Sequence, residues 1–202
     1  MPLYPVFLKL EGRKVLVVGG GAIAEQKIEG VLRSATDVTV LTPKISDRIR
    51  KWANEGRLKV QIQEYQAGMA TGYFLVIAAT DDNAVNRAVY EEASSAGALA
   101  NAVDDPPYCD FYAPALVSRG DFQIAISTGG QSPALAHQVR TKLEREYGPE
   151  YAGWTAWLGR MRAGIREALP AGERRKELLH LLAMSRPARE NRGGDDGKLA
   201  TD

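Results

Sequence analysis

Cysteine and histidine are scarce in this chain of 202 residues. Cys109 is the only cysteine, and His137 and His180 are the only histidines. A single cysteine excludes an intramolecular disulfide framework and is typical of a reducing compartment. Two isolated histidines do not make a zinc site, so the sequence predicts no metal site.

Net charge and long apolar runs are also scarce. Lys and Arg number 26 against 25 Asp and Glu, a net charge of +1, which does not favour a nucleic-acid partner. No apolar run approaches the length of a membrane span. The first residues, MPLYPVFLKLEGRK, lack the basic and apolar regions of a signal peptide. We therefore expect a soluble cytoplasmic protein with no nucleic-acid and no membrane partner.

A glycine triplet follows the first clear strand pattern. The apolar run Val15–Val18 leads directly into Gly19-Gly20-Gly21, and Ala24 completes the G-x-G-x-x-A form of the dinucleotide-binding turn. Gly19 permits the tight turn out of the strand, and Gly21 lets a pyrophosphate approach the backbone. Ala24 is small enough for the next helix to pack on the strand. The stretch therefore predicts a dinucleotide site.

Strand and helix patterns alternate up to Val103. Phe74–Ala79 is a continuous apolar run typical of a strand buried on both faces, and Leu58 to Ile62 alternates as a half-buried strand would. The alternation predicts an α/β fold with a Rossmann-like doubly wound parallel sheet. Ligands bind such sheets at the carboxyl ends of the strands. Those ends are Gly19–Gly21, Thr42–Lys44, Ala79–Asp82 and Asn101–Asp105.

The pattern changes after Asp105. Two short strands around Arg119-Gly120-Asp121 predict a hairpin, and Ser132-Pro133 predicts a helix start. We expect an NAD-binding domain over residues 1–113, a dimerisation region over 114–148, a C-terminal helical region over 149–188 and a disordered tail over 189–202. A second part this small buries few apolar faces, which favours a homodimer formed through it.

The residues alone leave the cofactor open between NAD and NADP. An NAD site usually has an acid about 20 residues beyond the glycines, at the end of the second strand. Here that strand ends in Leu41-Thr42-Pro43-Lys44. Thr42 could bind the ribose, whereas Lys44 could meet a 2′-phosphate.

Two acids follow the strand that should end beside the nicotinamide. Asp104 or Asp105 could accept the proton that leaves as hydride goes to the cofactor. The same pair before two prolines is also compatible with a solvated turn. Asp110 nearby has a weaker claim.

A second glycine turn precedes the helix that starts at Pro133. Ser127 to Ser132 reads STGGQS, which can bind an anion through backbone amides or can simply cap the helix. If it binds an anion, an acidic substrate is the expected ligand, with Arg119, Arg140 or Lys142 assisting.

Four motifs together resemble a known family. VVGGGAIAEQK, FLVIAATDD, NAVDDPPYCDFYAPA and ISTGGQSPALA look like the precorrin-2 dehydrogenase (sirohydrochlorin ferrochelatase) family of siroheme biosynthesis. The resemblance runs from Tyr4 to Tyr147, in the family's order and spacing. It implies NAD-dependent oxidation of precorrin-2 to sirohydrochlorin in a homodimer. It also implies a stand-alone form without the methyltransferase module fused in some bifunctional synthases, and NAD as cofactor despite the missing ribose acid.

The resemblance also implies roles for individual residues. Asp104 matches the family's proposed catalytic base, and Thr128 matches a residue near the tetrapyrrole cleft. His137 stands where the family often has arginine, which is a departure from the pattern. The expected substrate contacts are Thr128, Gly129, Gly130, Ser132 and Arg119. The expected cofactor contacts are Gly19, Gly21, Ala22, Ile23, Thr42, Pro43, Lys44, Ala79, Thr80, Asn101 and Val103.

Two other functions stay open. Insertion of Fe²⁺ into sirohydrochlorin needs a carboxylate that takes the pyrrole protons, so the same cleft could perform it. A non-catalytic NAD-sensing regulatory domain would also use a glycine turn. That alternative predicts a DNA-binding or membrane-partner module, and the sequence shows no helix-turn-helix or basic stripe.

Overall fold

The computed structural model describes residues 3–185 and residue 187 of the chain. It divides into two compact units, one formed by Tyr4–Ala113 and the other formed mainly by the residues from Pro114 onward. Among the described residues, no helix is long and apolar enough to cross a membrane.

The first unit is built on a five-stranded parallel sheet. Its strands are β1 (Lys14–Val18), β2 (Asp37–Leu41), β3 (Lys59–Gln61), β4 (Leu75–Ala78) and β5 (Leu99–Ala102). They lie in the order β3-β2-β1-β4-β5, and every neighbouring pair is parallel. The chain order reverses between β1 and β4, which makes their carboxyl ends the topological switch point. The predicted Rossmann-like doubly wound sheet is confirmed.

Helices cover both faces of this sheet. They are α1 (Ala22–Val31), α2 (Asp47–Asn54) and α3 (Asn83–Ser95). On one face Ile28 and Trp52 join the core beneath α1 and α2, and on the other Val89 packs beneath α3. Ala88 on α3 is exposed, and so is Ala96, just beyond the last residue of the helix. The stripe that faces the sheet instead contains a polar residue, Asn86, together with Val89 and Ala93.

The crossover from β3 to β4 contains no helix. Ile62, the first residue of this crossover, is exposed rather than half-buried. Further on, the carboxylate of Glu92 on α3 accepts hydrogen bonds from the hydroxyl of Tyr65 at 2.6 Å and from the amides of Gly68 at 2.7 Å and Ala70 at 2.5 Å. The Glu92 carboxylate therefore holds the middle of the crossover against α3.

The second unit contains a hairpin and three helices. These are β6 (Ala115–Arg119), β7 (Phe122–Ile126), α4 (Pro133–Glu146), α5 (Glu150–Ala168) and α6 (Glu173–Met184). Of the described hydrophobic side chains in this unit, only Val117 and Ala136 are fully buried, and α5 and α6 bury none. Large apolar side chains on α5 and α6 are exposed, among them Trp157, Met161 and Leu181. The predicted tail over residues 189–202 lies outside the described residues.

Candidate active site

The carboxyl ends of β1, β2 and β4 surround a cleft of about 680 Å³ within the first unit. It opens where the strand order reverses, which is the position at which sheets of this kind bind ligands. Seven expected cofactor contacts line it: Gly19, Gly21, Thr42, Pro43, Lys44, Ala79 and Thr80. Gly20 and Asp81, which belong to the predicted strand ends, also line it. Glu64 and Tyr65 line it too, and no sequence motif had indicated them.

Gly19 and Gly20 leave no room for a side chain. Gly19 has a φ of +128°, and a Cβ there would overlap the carbonyl oxygen of Ala79 on the neighbouring chain segment. A Cβ on Gly20 would overlap the carbonyl oxygen of Lys44 and lie 2.6 Å from Oγ1 of Thr42. Gly19 is thus required by a close approach as well as by its turn. The need for glycine at position 20 was not predicted, because the motif treats that position as variable.

Gly21 faces open space at the start of α1. A Cβ there would meet nothing within 4 Å, and no side chain caps the helix. Among the described residues, the amides of Gly21, Ala22 and Ile23 have no hydrogen-bond acceptor. These amides lie at the positive end of the helix dipole, where an anion is stabilised. Ala24, fully buried, lets α1 approach the sheet. The crowded backbone and these unpaired amides therefore fit the pyrophosphate of a dinucleotide.

Thr42 shapes the loop after β2. Its side chain is 4% exposed, and its hydroxyl donates to the carbonyl of Lys44 at 2.9 Å while accepting from the Lys44 amide at 3.3 Å. The Thr42 hydroxyl therefore donates its proton within the loop and not to a ligand. The side chain of Lys44 is exposed, and it forms no ion pair with another described residue.

Asn86 holds the loop after β4 in place. The residue is 3% exposed, and its Oδ1 accepts from the amide of Thr80 at 3.0 Å and from the Thr80 hydroxyl at 2.7 Å. Its Nδ2 donates to the carbonyl of Thr80 at 3.0 Å. Three hydrogen bonds thus fix Thr80 at the edge of the cleft. A polar residue within an otherwise apolar helix stripe was the sequence signal for this role.

Asp104, which follows β5, has an unusual backbone conformation. Its φ is +63°, and it is the only non-glycine residue with positive φ among those described. The amide of Val103 donates to the carbonyl of Ala78 at 2.9 Å, so the end of β5 lies beside the end of β4. The Asp104 carboxylate is exposed and makes no hydrogen bond or ion pair with any described residue. Backbone strain of this kind is concentrated at functional positions.

The other two candidate acids are engaged in structural contacts. Asp105 accepts from Nε of Arg87 at 2.6 Å. Asp110 accepts from the amide of Ala100 and from the hydroxyl of Tyr90, each at 2.9 Å. Both carboxylates therefore stabilise the loop after β5, and only Asp104 keeps its oxygens unengaged.

No residue of β5 lines the cleft, and neither do Val103 and Asp104, which follow it. Asn101 uses its amide to donate to the carbonyl of Phe111 at 2.7 Å. The thiol of Cys109 donates to the carbonyls of Ala102 at 3.2 Å and Asp105 at 3.3 Å. Burial raises the pKa of the Cys109 thiol. These side chains hold the loop that carries Asp104, which agrees with a structural role for Cys109.

The STGG turn of the second unit satisfies most of its own amides. The hydroxyl oxygen of Ser127 accepts from the Gly129 amide at 3.1 Å, and that of Thr128 accepts from the Ser132 amide at 3.1 Å. Ser132 caps α4 by accepting from the Leu135 amide at 3.2 Å. Gly129 and Gly130 both have positive φ. The amides expected to cradle an anion are therefore largely paired within the turn, and the hydroxyl protons remain available to a ligand.

Arg119 is tied to the end of α4. Its guanidinium donates to the carbonyls of Ser118 at 2.9 Å, Tyr147 at 3.0 Å and Glu144 at 3.3 Å. A cation that binds the last carbonyls of a helix also complements its dipole. These bonds give Arg119 a structural role, and its contact with a substrate stays a prediction. Nearby, Arg140 pairs with Glu144 at 2.8 Å.

No group of three or more His, Cys, Asp or Glu residues able to hold a metal ion occurs in the described part of the chain. His137 is exposed on α4, with its Nδ1 3.3 Å from an Arg140 nitrogen.

Comparisons with known proteins cover both units. Residues 6–115 match the family described as "Putative NAD(P)-binding", and residues 119–146 match "Sirohaem biosynthesis protein central". The siroheme synthase of Actinobacillus pleuropneumoniae serotype 3 is 38% identical over 90% of this chain and 37% of its own length. That of Nitrosococcus oceani is 35% identical over 84% of this chain and 36% of its own length. The chain thus spans well under half the length of these curated relatives.

A solved structure matches over a larger share of its own length. SirC, precorrin-2 dehydrogenase, is 34% identical with a TM-score of 0.75, and the match covers 89% of each chain. Fold and cleft together define an NAD(P)-binding protein of the Rossmann type. Within that class, the chain belongs to the precorrin-2 dehydrogenase family of siroheme biosynthesis, as its motifs predicted.

Proposed function

We propose that this protein catalyses the NAD-dependent oxidation of precorrin-2 to sirohydrochlorin. The observation that carries the proposal is the extent of the match to SirC, precorrin-2 dehydrogenase, which covers 89% of this chain. The unit Tyr4–Ala113 supplies little more than half of the residues. The match therefore includes the hairpin and helices as well as the dinucleotide fold, which nucleotide binding alone would not require.

In the proposed reaction, residues of the first unit bind the cofactor and accept the proton. NAD is the cofactor, and when bound it supplies the hydride acceptor. The α1 amides and the glycine turn bind its pyrophosphate, and the loops after β2 and β4 bind the rest. Oxidation of the macrocycle releases one hydride and one proton, and Asp104 takes the proton. Its carboxylate suits that role because no described residue already donates to it.

In the same proposal, hydroxyl groups of the second unit bind the substrate. Precorrin-2 carries carboxylates, which accept hydrogen bonds from hydroxyl groups. Thr128 and Ser132 use their oxygens to hold the turn and keep their hydroxyl protons for such a ligand. Gly129 and Gly130 allow the left-handed turn that brings these two hydroxyls to one loop.

The second unit also supports a homodimer. Helices α5 and α6 bury no side chain, yet they expose Trp157, Met161 and Leu181. Exposed apolar side chains of this size gain stability when a partner covers them. A second copy of the chain is the partner that we propose, and the cytoplasm is the proposed compartment.

An anaerobic assay with precorrin-2 and NAD⁺ tests this function. We expect sirohydrochlorin to form only with NAD⁺. Asp104→Asn and Asp104→Gly should each lower kcat by about 10²–10⁴-fold, because both remove the general base and both tolerate positive φ. Asp121→Asn, in the hairpin turn, is the matched control. Full turnover in both Asp104 variants would refute the base, and no product with the parent protein would refute the reaction.

Adding Fe²⁺ to the completed reaction tests the alternative that the sequence left open. Siroheme formed faster than in the absence of protein would add metal insertion to the activity. An unchanged rate would limit the protein to dehydrogenation.

A further inference from the structure

The adenosine end of the cofactor cleft lacks the usual acid. In most NAD sites a carboxylate at the end of the second strand accepts hydrogen bonds from the ribose hydroxyls. Here β2 is followed by Thr42, Pro43 and Lys44, and the hydroxyl proton of Thr42 is donated to the carbonyl of Lys44. A carboxylate acceptor for the ribose would therefore have to come from another element.

Glu64 reaches the same cleft from the neighbouring strand. Leu41 pairs with Gln61, and the ladder continues beyond the strand ends. The amide of Thr42 donates to the carbonyl of Gln61 at 3.1 Å, and the amide of Gln63 donates to the carbonyl of Thr42 at 3.2 Å. This extension carries the chain past the end of β2, and Glu64, the next residue, lines the cleft together with Lys44.

Both neighbours of Glu64 are anchored. Gln63 is held by its backbone bond to Thr42. Tyr65 is held on the other side by its hydroxyl, which donates to Glu92 at 2.6 Å. The Glu64 side chain is exposed, and it makes no hydrogen bond or ion pair with any described residue. A fixed backbone thus presents an unengaged carboxylate at the rim of the cleft.

We propose that Glu64 accepts the hydroxyls of the adenosine ribose and makes the cleft select NAD over NADP. A carboxylate is a strong acceptor for the two ribose hydroxyls of NAD. The 2′-phosphate of NADP removes one of these donors and brings a second negative charge against the carboxylate. Asp81 lines the same cleft and adds to that repulsion. The positive charge of Lys44 instead attracts the 2′-phosphate. When Glu64 is replaced by a neutral residue, this attraction should no longer be opposed by the Glu64 charge.

The inference rests on this cleft being the NAD site of the proposed function, but it does not depend on the oxidation step. It can therefore be tested by binding alone. Calorimetric titrations would compare NAD⁺ with NADP⁺, and ADP-ribose with its 2′-phosphate, on the parent protein. The variants are Glu64→Gln, Glu64→Asp and the matched control Glu11→Gln, an exposed acid outside the cleft.

For Glu64→Gln we expect NAD⁺ and ADP-ribose to bind about tenfold more weakly, since one charged acceptor is lost. The 2′-phosphorylated ligands should bind more tightly, so that the preference for NAD⁺ falls by more than tenfold. Glu64→Asp should keep most of the preference because it keeps the charge, and Glu11→Gln should keep all of it.

An unchanged preference in Glu64→Gln, or an equal change in Glu11→Gln, would overturn the proposal. Absence of NAD⁺ and ADP-ribose binding by the parent protein would instead refute the cofactor site itself. A normal preference shift without any oxidation of precorrin-2 would support Glu64 and refute the proposed reaction.

Discussion

Nε of Arg87 on α3 donates to the carboxylate of Asp105 at 2.6 Å. Asp105 is the residue that directly follows Asp104 in the chain. The Asp105 side chain is 14% exposed, and the Arg87 guanidinium also lies 5.0 Å from the centre of the Tyr108 ring. The Asp105 hydrogen bond and negative charge raise the pKa of Arg87. Helix α3 thereby holds the turn whose left-handed residue carries the proposed base.

We expect Arg87→Met to lower kcat by about tenfold, because a small displacement of a catalytic group is costly. The dissociation constant for NAD⁺ and the KM for precorrin-2 should change little. Arg87→Lys should restore part of kcat, since a lysine can still pair with Asp105. Steady-state kinetics and NAD⁺ titration of both variants check this. A change confined to thermal stability would mean that the pair does not position Asp104.

Gly20→Ala and Gly21→Ala should have different effects although they are adjacent. A Cβ at Gly20 would overlap the Lys44 carbonyl, so we expect the free energy of unfolding to fall by about 2 kcal/mol. A Cβ at Gly21 meets no protein atom within 4 Å, and its φ of −83° suits any residue. Gly21→Ala should therefore fold normally and weaken NAD⁺ binding alone.

Urea unfolding and NAD⁺ titration of the two glycine variants separate these effects. Equal losses of stability would contradict the close approach at Gly20. Full NAD⁺ affinity in Gly21→Ala would contradict a pyrophosphate at the start of α1.

Asn86→Ala should destabilise the first unit and the cleft together. It leaves the partly buried Thr80 amide and carbonyl without their partner, which costs about 1–2 kcal/mol. NAD⁺ should bind more weakly because the loop after β4 is released. The matched control is Asn83→Ala, at an exposed position at the start of the same helix. Similar unfolding midpoints for the two variants would refute the role of Asn86.

Stability should fall in acid partly through Glu92. Burial raises the pKa of this carboxyl, but the hydrogen bonds from Tyr65, Gly68 and Ala70 outweigh burial and lower its pKa overall. The folded state therefore favours the charged form. Its contribution to stability is complete above the pKa of the unfolded chain, about 4.3, and is lost as the pH falls through the lower folded pKa.

Urea titrations of the parent and Glu92→Gln between pH 7 and pH 3 measure this contribution. We expect the variant to be less stable by about 1–2 kcal/mol at pH 7, and the difference should shrink towards pH 3. A difference that stays constant with pH would mean that the charge of Glu92 is irrelevant and that only its shape matters.

The elements of the first unit were predictable because local patterns specify them. The strand before Gly19 and the buried run up to Ala79 both appear where the apolar patterns predict them. The parallel sheet followed from their alternation, since parallel strands need crossover connections. The face of α3 was less predictable, because Asn86 replaces an apolar residue at the sheet.

The site was predictable only where a motif specifies backbone geometry. Gly19 and Gly21 line the cleft, as the glycine spacing predicted. The three acids near β5 could not be separated in sequence, because all follow the same strand. Arg87 and Tyr90 on α3 bind Asp105 and Asp110, and Asp104 is left unengaged. Arg119 also binds the carbonyls of Glu144 and Tyr147, contacts that no local sequence pattern indicates.

The sequence by itself determined the strand and helix order, the glycine turn and the family, because each depends on short-range spacing. The tertiary structure alone decided that Gly20 must lack a side chain, that Glu64 reaches the cleft and that Asp104 stays unpaired. Each of these depends on contacts between residues distant in the chain: Gly20 with Lys44, Gln63 with Thr42, and Arg87 with Asp105. Such contacts form only when crossovers bring the ends of separate strands together, and no local pattern records them.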